Sequence, residues 1–463
     1  MGAWDVRLNE VSISDFKSVT KGKVTLHEDE EKKSSSVLGI YGQNGSGKTA
    51  LVDSIHILKY LLSGYRIPDY FAGYIAEGSD RASFEFDIRI KNDELDYRVW
   101  YRFSLGKREN DDNDDGSKRI IPVVEKECIS FSRISGIEKL RKTTLADTDT
   151  DEVFIPISRY NALVGEYSQV ELLVEKKLAK RESRSFLFSP EFLSVIKKNG
   201  EDEVAKGILT RLMHYGRGEL FVVDTQNLGM IQLGALPVYF RMSEGNKRSA
   251  GVFPIFLGEE NPVPYDIYDK LHQSIDNINV VLNRVIPGMS VKTEDLGKRL
   301  MENGEEGYMI GLKSVRNGKE IPLRYESDGI KKILSILQLL IVMYNRYSFT
   351  VVIDELDSGI FEYLLGEMLD LLSKKGKGQL VFTSHNLRPL ETIDKKFVVF
   401  TTTNPSNRFV RMKNVKTNNN LRDFYYRELE LGGQSEKLYE DTNKYEIELA
   451  LRKAGDMLGA KEG

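Results

Sequence analysis

Cysteine is almost absent: Cys128 is the single one in 463 residues. One thiol excludes an intramolecular disulfide framework and any multi-cysteine zinc site, and it fits a reducing compartment. Histidine is scarce as well, with five scattered residues that form no metal-nuclease pattern. A dominant charge is lacking. Lys plus Arg number 66 against 70 Asp plus Glu, a net charge of −4. That excludes a globally basic nucleic-acid coat, though not a local basic patch. Long hydrophobic runs are lacking too. The longest strongly apolar stretch, 333–342, is broken by Ser335 and Gln338 and falls well short of the ~20 residues of a spanning helix. The first ten residues hold no apolar signal core, so a cytoplasmic location without membrane contact is expected. What remains, 40% hydrophobic and 29% charged, is the composition of an ordinary globular protein.

Periodicity organises the chain. Val6, Leu8, Val11 and Ile13 lie in a strand-like run. Residues 37–41 read as a short buried strand, and 48–62 as a helix with Leu51, Ile55, Leu58 and Leu62 on one face. Phe84, Phe86, Ile88 and Ile90, then Tyr97, Val99, Tyr101 and Phe103, alternate with polar residues and predict an antiparallel hairpin. The acidic run 111–115 lacks the spacing of a calcium loop and reads as a solvated hairpin tip. Ser189-Pro190 opens a helix that Gly200 ends, and a second helix spans about 202–215. A longer one starts after Pro264 and stops at Pro287-Gly288. Tyr308, Ile310 and Leu312 alternate, Asn317-Gly318 signals a hairpin turn, and Ile321, Leu323 and Tyr325 alternate after it. Residues 329–345 are helical in pattern. The apolar runs 349–353 and 380–383, with a helix between them, predict parallel strands of a βαβ unit.

One segment carries chemistry: Gly42-Gln43-Asn44-Gly45-Ser46-Gly47-Lys48-Thr49, a G-x-x-x-x-G-K-T pattern between a buried strand and an amphipathic helix. Glycines let backbone N–H groups turn around a phosphate, so Gly42, Asn44, Gly45, Ser46 and Gly47 are candidate ATP contacts. Lys48 places charge on the β- and γ-phosphates, Thr49 offers a hydroxyl to Mg²⁺, and the helix N-terminus adds partial positive charge. The apolar strand 351–353 ends in Asp354-Glu355, which suits a Walker B motif. Asp354 is the candidate Mg²⁺ residue and Glu355 the group that polarises the attacking water. Ser327 and Gly329 open a helix and form a second anion site. The separation of 306 positions between Lys48 and Asp354 excludes a compact GTPase-like domain.

Ser327-Asp328-Gly329 resembles the signature motif of ABC-type ATPases in the SMC, RecF and OLD-like branch. In the same family, Leu356-Asp357-Ser358-Gly359 resembles a D-loop, Thr383-Ser384-His385-Asn386 the switch histidine, and Phe16-Lys17-Ser18 an N-terminal conserved segment. The resemblance implies nucleotide roles for Lys17, Asp357, Ser327 and Gly329 and a catalytic role for His385 beside Lys48 and Glu355. It also implies composite ATP sites in a homodimer or higher homo-oligomer. Two features depart from the family: no glutamine stands between Gln43 and Gln169, where a Q-loop glutamine is usual, and Asp328 occupies a position that is commonly small.

The implied fold is α/β: an ABC/SMC-type P-loop ATPase head with an antiparallel β-subdomain and an inserted, mainly helical region. The expected units are 1–135 and 321–418 as halves of the head, 136–320 as the insertion, and 419–463 as a helical tail. Residues 136–320 have no sustained heptads and no Cys-x-x-Cys hook, which argues against a coiled-coil DNA tether. The 78 residues after His385 are too few for an appended nuclease. Lys176, Lys177, Lys180, Arg181 and Arg184 are compatible with contact to DNA or RNA, but a solvated helix face is the favoured reading. The segments 39–50 and 354–359 resemble the short SMC-like ATPases of bacterial anti-phage systems such as PARIS, Septu and AbiL-type loci. That resemblance implies control of an effector encoded by a neighbouring gene. A RecF-like DNA-repair ATPase and an ATP-gated scaffold with little turnover are the alternatives.

Overall fold

The computed structural model describes residues 4–26, 36–92, 94–110, 119–135, 138–139, 141–224, 235–244, 247–256, 260–301, 304–413, 420–431 and 433–459. The acidic run 111–115 lies outside them. Two sheets position the site. The first is a seven-stranded antiparallel sheet built from Asp5–Phe16, Val19–Thr25, Arg81–Lys91, Asp96–Asn110, Arg119–Ser135 and two short strands. The expected alternation is its register: Phe84 faces Phe103, Phe86 faces Tyr101, and Ile88 faces Val99. All six are buried, so this face packs inward.

The second sheet brings distant segments together. Its order is Phe409–Val410, Val398–Thr401, Ser36–Tyr41, Gln379–Thr383, Thr350–Ile353, Leu220–Val223. All pairings but the first are parallel. Every residue of Ser36–Tyr41, Gln379–Thr383 and Thr350–Ile353 is buried, as continuous apolar runs require of strands covered on both faces. The predicted βαβ unit is present, with helix Glu362–Lys375 between the last two strands.

Alternation within these strands separates two cores. Leu38, Ile40, Val352 and Val381 pack toward helix Lys48–Ser63 and the antiparallel sheet. Val37, Tyr41, Val351, Ile353 and Phe382 pack toward helix Asp328–Asn345. The Lys48–Ser63 helix thus sits between the two sheets, with Leu51, Ile55, Leu58 and Leu62 fully buried.

Residues 136–320 correct one expectation. They are helical over Ile157–Val164, Gln169–Arg181, Pro190–Asn199, Glu203–Gly218 and Tyr265–Val285, but they also carry strands, so the region is mixed rather than mainly helical. Leu220–Val223 is an edge strand of the parallel sheet itself. Ala235–Glu244 pairs with Lys247–Phe256, and Glu306–Arg316 pairs with Asn261–Pro264, Met289–Leu300 and Lys319–Pro322. The physical reason was present at Tyr308, Ile310 and Leu312, whose alternation specifies a sheet face. Asn317 and Gly318, at φ 51° and 77°, make the expected tight turn.

Glu127 ties the antiparallel sheet to the helical layer. Its fully buried carboxylate accepts from Tyr101 OH (2.6 Å), Ser185 Oγ and Phe186 N–H (2.8 Å). Burial raises its pKa, and these donors oppose the rise. Glu127→Ala strands buried donors without an acceptor, at a cost of about 3 kcal/mol. The urea unfolding midpoint should fall accordingly, and less in Glu127→Gln, which keeps an acceptor. Equal midpoints for Glu127→Ala and the parent chain would show that the tie is dispensable.

Candidate functional site

The loop after Ser36–Tyr41 is shaped by its glycines. Gly42, Gly45 and Gly47 have φ of 153°, 75° and 92°. A Cβ on Gly42 would lie 1.8 Å from Thr401 Oγ1, so only glycine fits there. Gly47 caps helix Lys48–Ser63, whose free N–H groups face the loop. Asn44 and Gly45 are exposed at the tip and Thr49 is half-buried at the helix start. Ser46 Oγ donates to Gln43 O at 2.6 Å and meets Thr401 Oγ1, which pins the far side of the loop. Lys48 is buried, and its Nζ donates to Gly42 O and Gln43 O, both at 2.8 Å. Burial lowers its pKa, while Asp354, Glu355 and Asp357 push it back up. The result is a positively charged cradle at a helix N-terminus, suited to a polyphosphate.

The carboxylates stand on the same sheet edge. Parallel register aligns Ile353 with Phe382 and Phe382 with Gly39, so Asp354, Thr383 and the loop emerge side by side. Thr383 Oγ1 donates to Asp354 Oδ1 at 2.5 Å and accepts from Glu355 N–H at 2.8 Å. Asp354 is 1% exposed, and its Oδ2 has no hydrogen-bond partner. A buried carboxylate oxygen without a donor is costly unless a cation meets it, so Asp354 with Thr49 fits Mg²⁺. Glu355 is exposed and holds φ 49°, a left-handed conformation that is uncommon outside glycine. Asp357 Oδ2 accepts from His385 N–H (3.1 Å) and Asn386 N–H (2.9 Å), fixing the turn that presents His385. Loss of solvent around the ring, then the Lys48 charge, lower the His385 pKa.

Ser327 and Gly329 sit elsewhere on this constellation. Ser327 is exposed and caps helix Asp328–Asn345 by accepting from Ile330 N–H at 3.4 Å. Gly329 lies against Gly359: a Cβ on Gly329 would fall 1.9 Å from Gly359 O. The signature segment is therefore packed on the Asp357 loop of its own chain. Lys17, expected near nucleotide, is instead paired with Asp53 on the first helix and lies over the Tyr74 ring. Lys176 and Arg184 of the basic segment turn inward, Lys176 to the carbonyls of Thr150 and Glu152 and Arg184 to Glu175.

Three site residues escaped the sequence reading. Thr383 bridges Asp354 and Glu355. Thr401 closes the loop. Lys332, 3% exposed, donates from Nζ to Glu355 O. Burial pushes its pKa down to about 8 against the pull of Asp357, Glu355 and Asp354. A signal for Lys332 existed: after Asp328, Lys331 and Lys332 are the only charged residues in an otherwise apolar helix. Asp224, which follows the edge strand Leu220–Val223, is buried and paired with His56 (3.1 Å).

No protein-family model matches the chain, and no curated protein matches it. Among solved structures it aligns with the Smc head bound to the C-winged helix domain of ScpA, at 12% identity and TM-score 0.41, covering 88% of this chain and 97% of that one. It also aligns with the SMC head domain from Thermotoga maritima, at 13% identity and TM-score 0.36, covering 88% and 99%. A third is the recombination mediator RecF with ATP, at 13% identity and TM-score 0.33, covering 82% and 94%. At this similarity the site rests on the geometry of this chain alone.

Two alanine substitutions separate packing from backbone strain in the loop. Gly45 has no neighbour within 4 Å of a built Cβ, so Gly45→Ala meets only the left-handed penalty of ~1 kcal/mol. Gly42→Ala must also displace buried Thr401, and its urea midpoint should fall clearly further. Equal shifts in the two variants would show that Thr401 does not confine the loop.

Proposed function

We propose that this protein is an ATPase of the ABC class, of SMC and RecF-like type, whose two composite sites form between two copies of the chain. The observation that carries this reading is the meeting of Lys48, Asp354, Glu355 and His385 on one sheet edge, while the exposed Ser327 cap is anchored to the Asp357 loop. Lys48 exchanges its loop carbonyls for β- and γ-phosphate oxygens. Thr49 and Asp354 would hold Mg²⁺, which when bound would supply positive charge to the phosphates. Glu355, exposed beside them, orients the attacking water and takes its proton. His385, at the turn held by Asp357, donates a hydrogen bond to a γ-phosphate oxygen. Ser327 and Gly329 of the second copy complete the site with a helix N-terminus.

The chemistry is tested first. Glu355→Gln should keep ATP bound while turnover falls ~10²-fold or more, because only the proton acceptor is lost. Unchanged turnover would sink the assignment. Composite sites are tested by complementation. Ser327→Arg and Lys48→Ala chains should each be inactive, and a mixture should regain activity from heterodimers with one intact site. A mixture no more active than its components would argue against sharing.

We extend the reading to anti-phage defence: the ATPase senses infection and restrains or releases an effector encoded by a neighbouring gene, in the cytoplasm. Its support is the resemblance of segments 39–50 and 354–359 to such ATPases, and the use of every strong motif for nucleotide. The chain expressed alone should be harmless and should cut neither DNA nor RNA. Co-expressed with its neighbour it should form a complex whose toxicity depends on Lys48. Phage protection by the isolated gene would refute the extension.

A further inference from the structure

The Ser327-capped helix buries a lysine where its packing asks for an apolar residue. Lys332 is 3% exposed, among Ile333, Leu334 and Ile336 of the second core. Its ammonium reaches out of that helix to the backbone carbonyl of Glu355. The carbonyl does not need it for satisfaction, since Ser358 N–H already donates to Glu355 O at 3.0 Å. Burying an ammonium is expensive, and here the charges of Asp357, Glu355 and Asp354 offset the cost while the hydrogen bond itself goes to the Glu355 backbone. The Glu355 residue itself is held in a left-handed conformation, φ 49°, which a glutamate adopts at a cost and keeps only when its surroundings over-determine it. Three contacts do so: Thr383 Oγ1 on the N–H, and Ser358 N–H and Lys332 Nζ on the carbonyl. Of the three, Thr383 comes from the neighbouring strand Gln379–Thr383 and Lys332 from the helix Asp328–Asn345.

We propose that Lys332 is a positioning residue for hydrolysis, which ties the Ser327-capped helix to the Glu355 peptide and so sets where the Glu355 carboxylate points. The proposal rests on the ATPase reading above. Through Lys332, a helix whose exposed N-terminus is offered to a second copy holds the proton acceptor of its own chain. The contact lies on the backbone of Glu355 rather than on the phosphate loop, so its loss disorders the carboxylate and spares nucleotide affinity.

The test is steady-state ATP turnover by the full chain, with ATP affinity measured separately by a fluorescent analogue, for Lys332→Met and Lys332→Arg. Methionine keeps the length and loses the donor, and arginine keeps donor and charge. Lys332→Met should lower kcat about 10-fold or more, the scale of a small misplacement of a reacting group. Its ATP affinity should stay within about two-fold of the parent, since the interaction lost is one made in the transition state. Lys332→Arg should recover most of kcat. Three results would overturn the proposal: an unchanged kcat in Lys332→Met, a parallel loss of affinity and kcat, or an arginine variant no better than methionine. Should Lys332→Met be insoluble, Lys332→Leu is read against the same outcomes at lower temperature, and failure of both to fold while Lys332→Arg folds without recovered kcat overturns it too. A parent chain that binds and hydrolyses no ATP overturns the ATPase reading and this role together. A hydrolysing parent with an unaffected Lys332→Met overturns this role alone.

Discussion

The hydroxyl of Thr383 is the point on which the site depends. It donates to Asp354 and accepts from the Glu355 amide, so one buried group sets both carboxylate residues. It can do this only because Gln379–Thr383 lies between Ser36–Tyr41 and Thr350–Ile353 in parallel register. A slip of one residue in any of these strands would turn Thr383 to the other face of the sheet. It would also carry Val352 and Val381 from one core into the other. The apolar packing that stabilises the sheet therefore also sets the register that brings these groups together at its edge.

The antiparallel sheet serves the same edge from the other side. Phe84, Phe86, Tyr101 and Phe103 form a continuous buried face, and helix Lys48–Ser63 packs in the core they share. The helix N-terminus is the phosphate cradle, so its position is fixed by a core many residues away in sequence. Lys17 belongs to this support. Its pairing with Asp53 and its place over Tyr74 tie the first strand pair to the helix, one turn beyond Thr49. In this fold the Lys17 charge holds the helix that carries Lys48.

Legibility followed periodicity. The phosphate loop, the carboxylate strand, the antiparallel hairpin and the βαβ unit each carry a local pattern, and each lies where that pattern puts it. The Ser189-Pro190 helix start and the Asn317-Gly318 turn were legible for the same reason, because caps and tight turns are decided by neighbouring residues. What escaped was long-range. Leu220–Val223 is four apolar residues without period, and nothing local says that it pairs with Thr350–Ile353. Thr383, Thr401 and Lys332 matter through partners 29, 355 and 23 positions away. A motif search does not reveal these contacts, even for Thr383 at the head of the histidine motif, since each is an ordinary residue whose meaning comes from the strand or helix it is set against.

The glycine pair at 329 and 359 shows how closely the functional loops are geared. Their backbones approach so nearly that neither side tolerates a Cβ without displacement. The loop that Gly359 ends is held at its other side by Asp357, which accepts the amides of His385 and Asn386. One turn further along the helix from Gly329, Lys332 grips Glu355. The Ser327 cap, Glu355 and the histidine turn are therefore linked by a backbone contact, a buried ammonium and two amide hydrogen bonds. Packed interiors do not yield continuously. Along these contacts the exposed cap is joined to Glu355 and to the His385 turn by short connections within one chain.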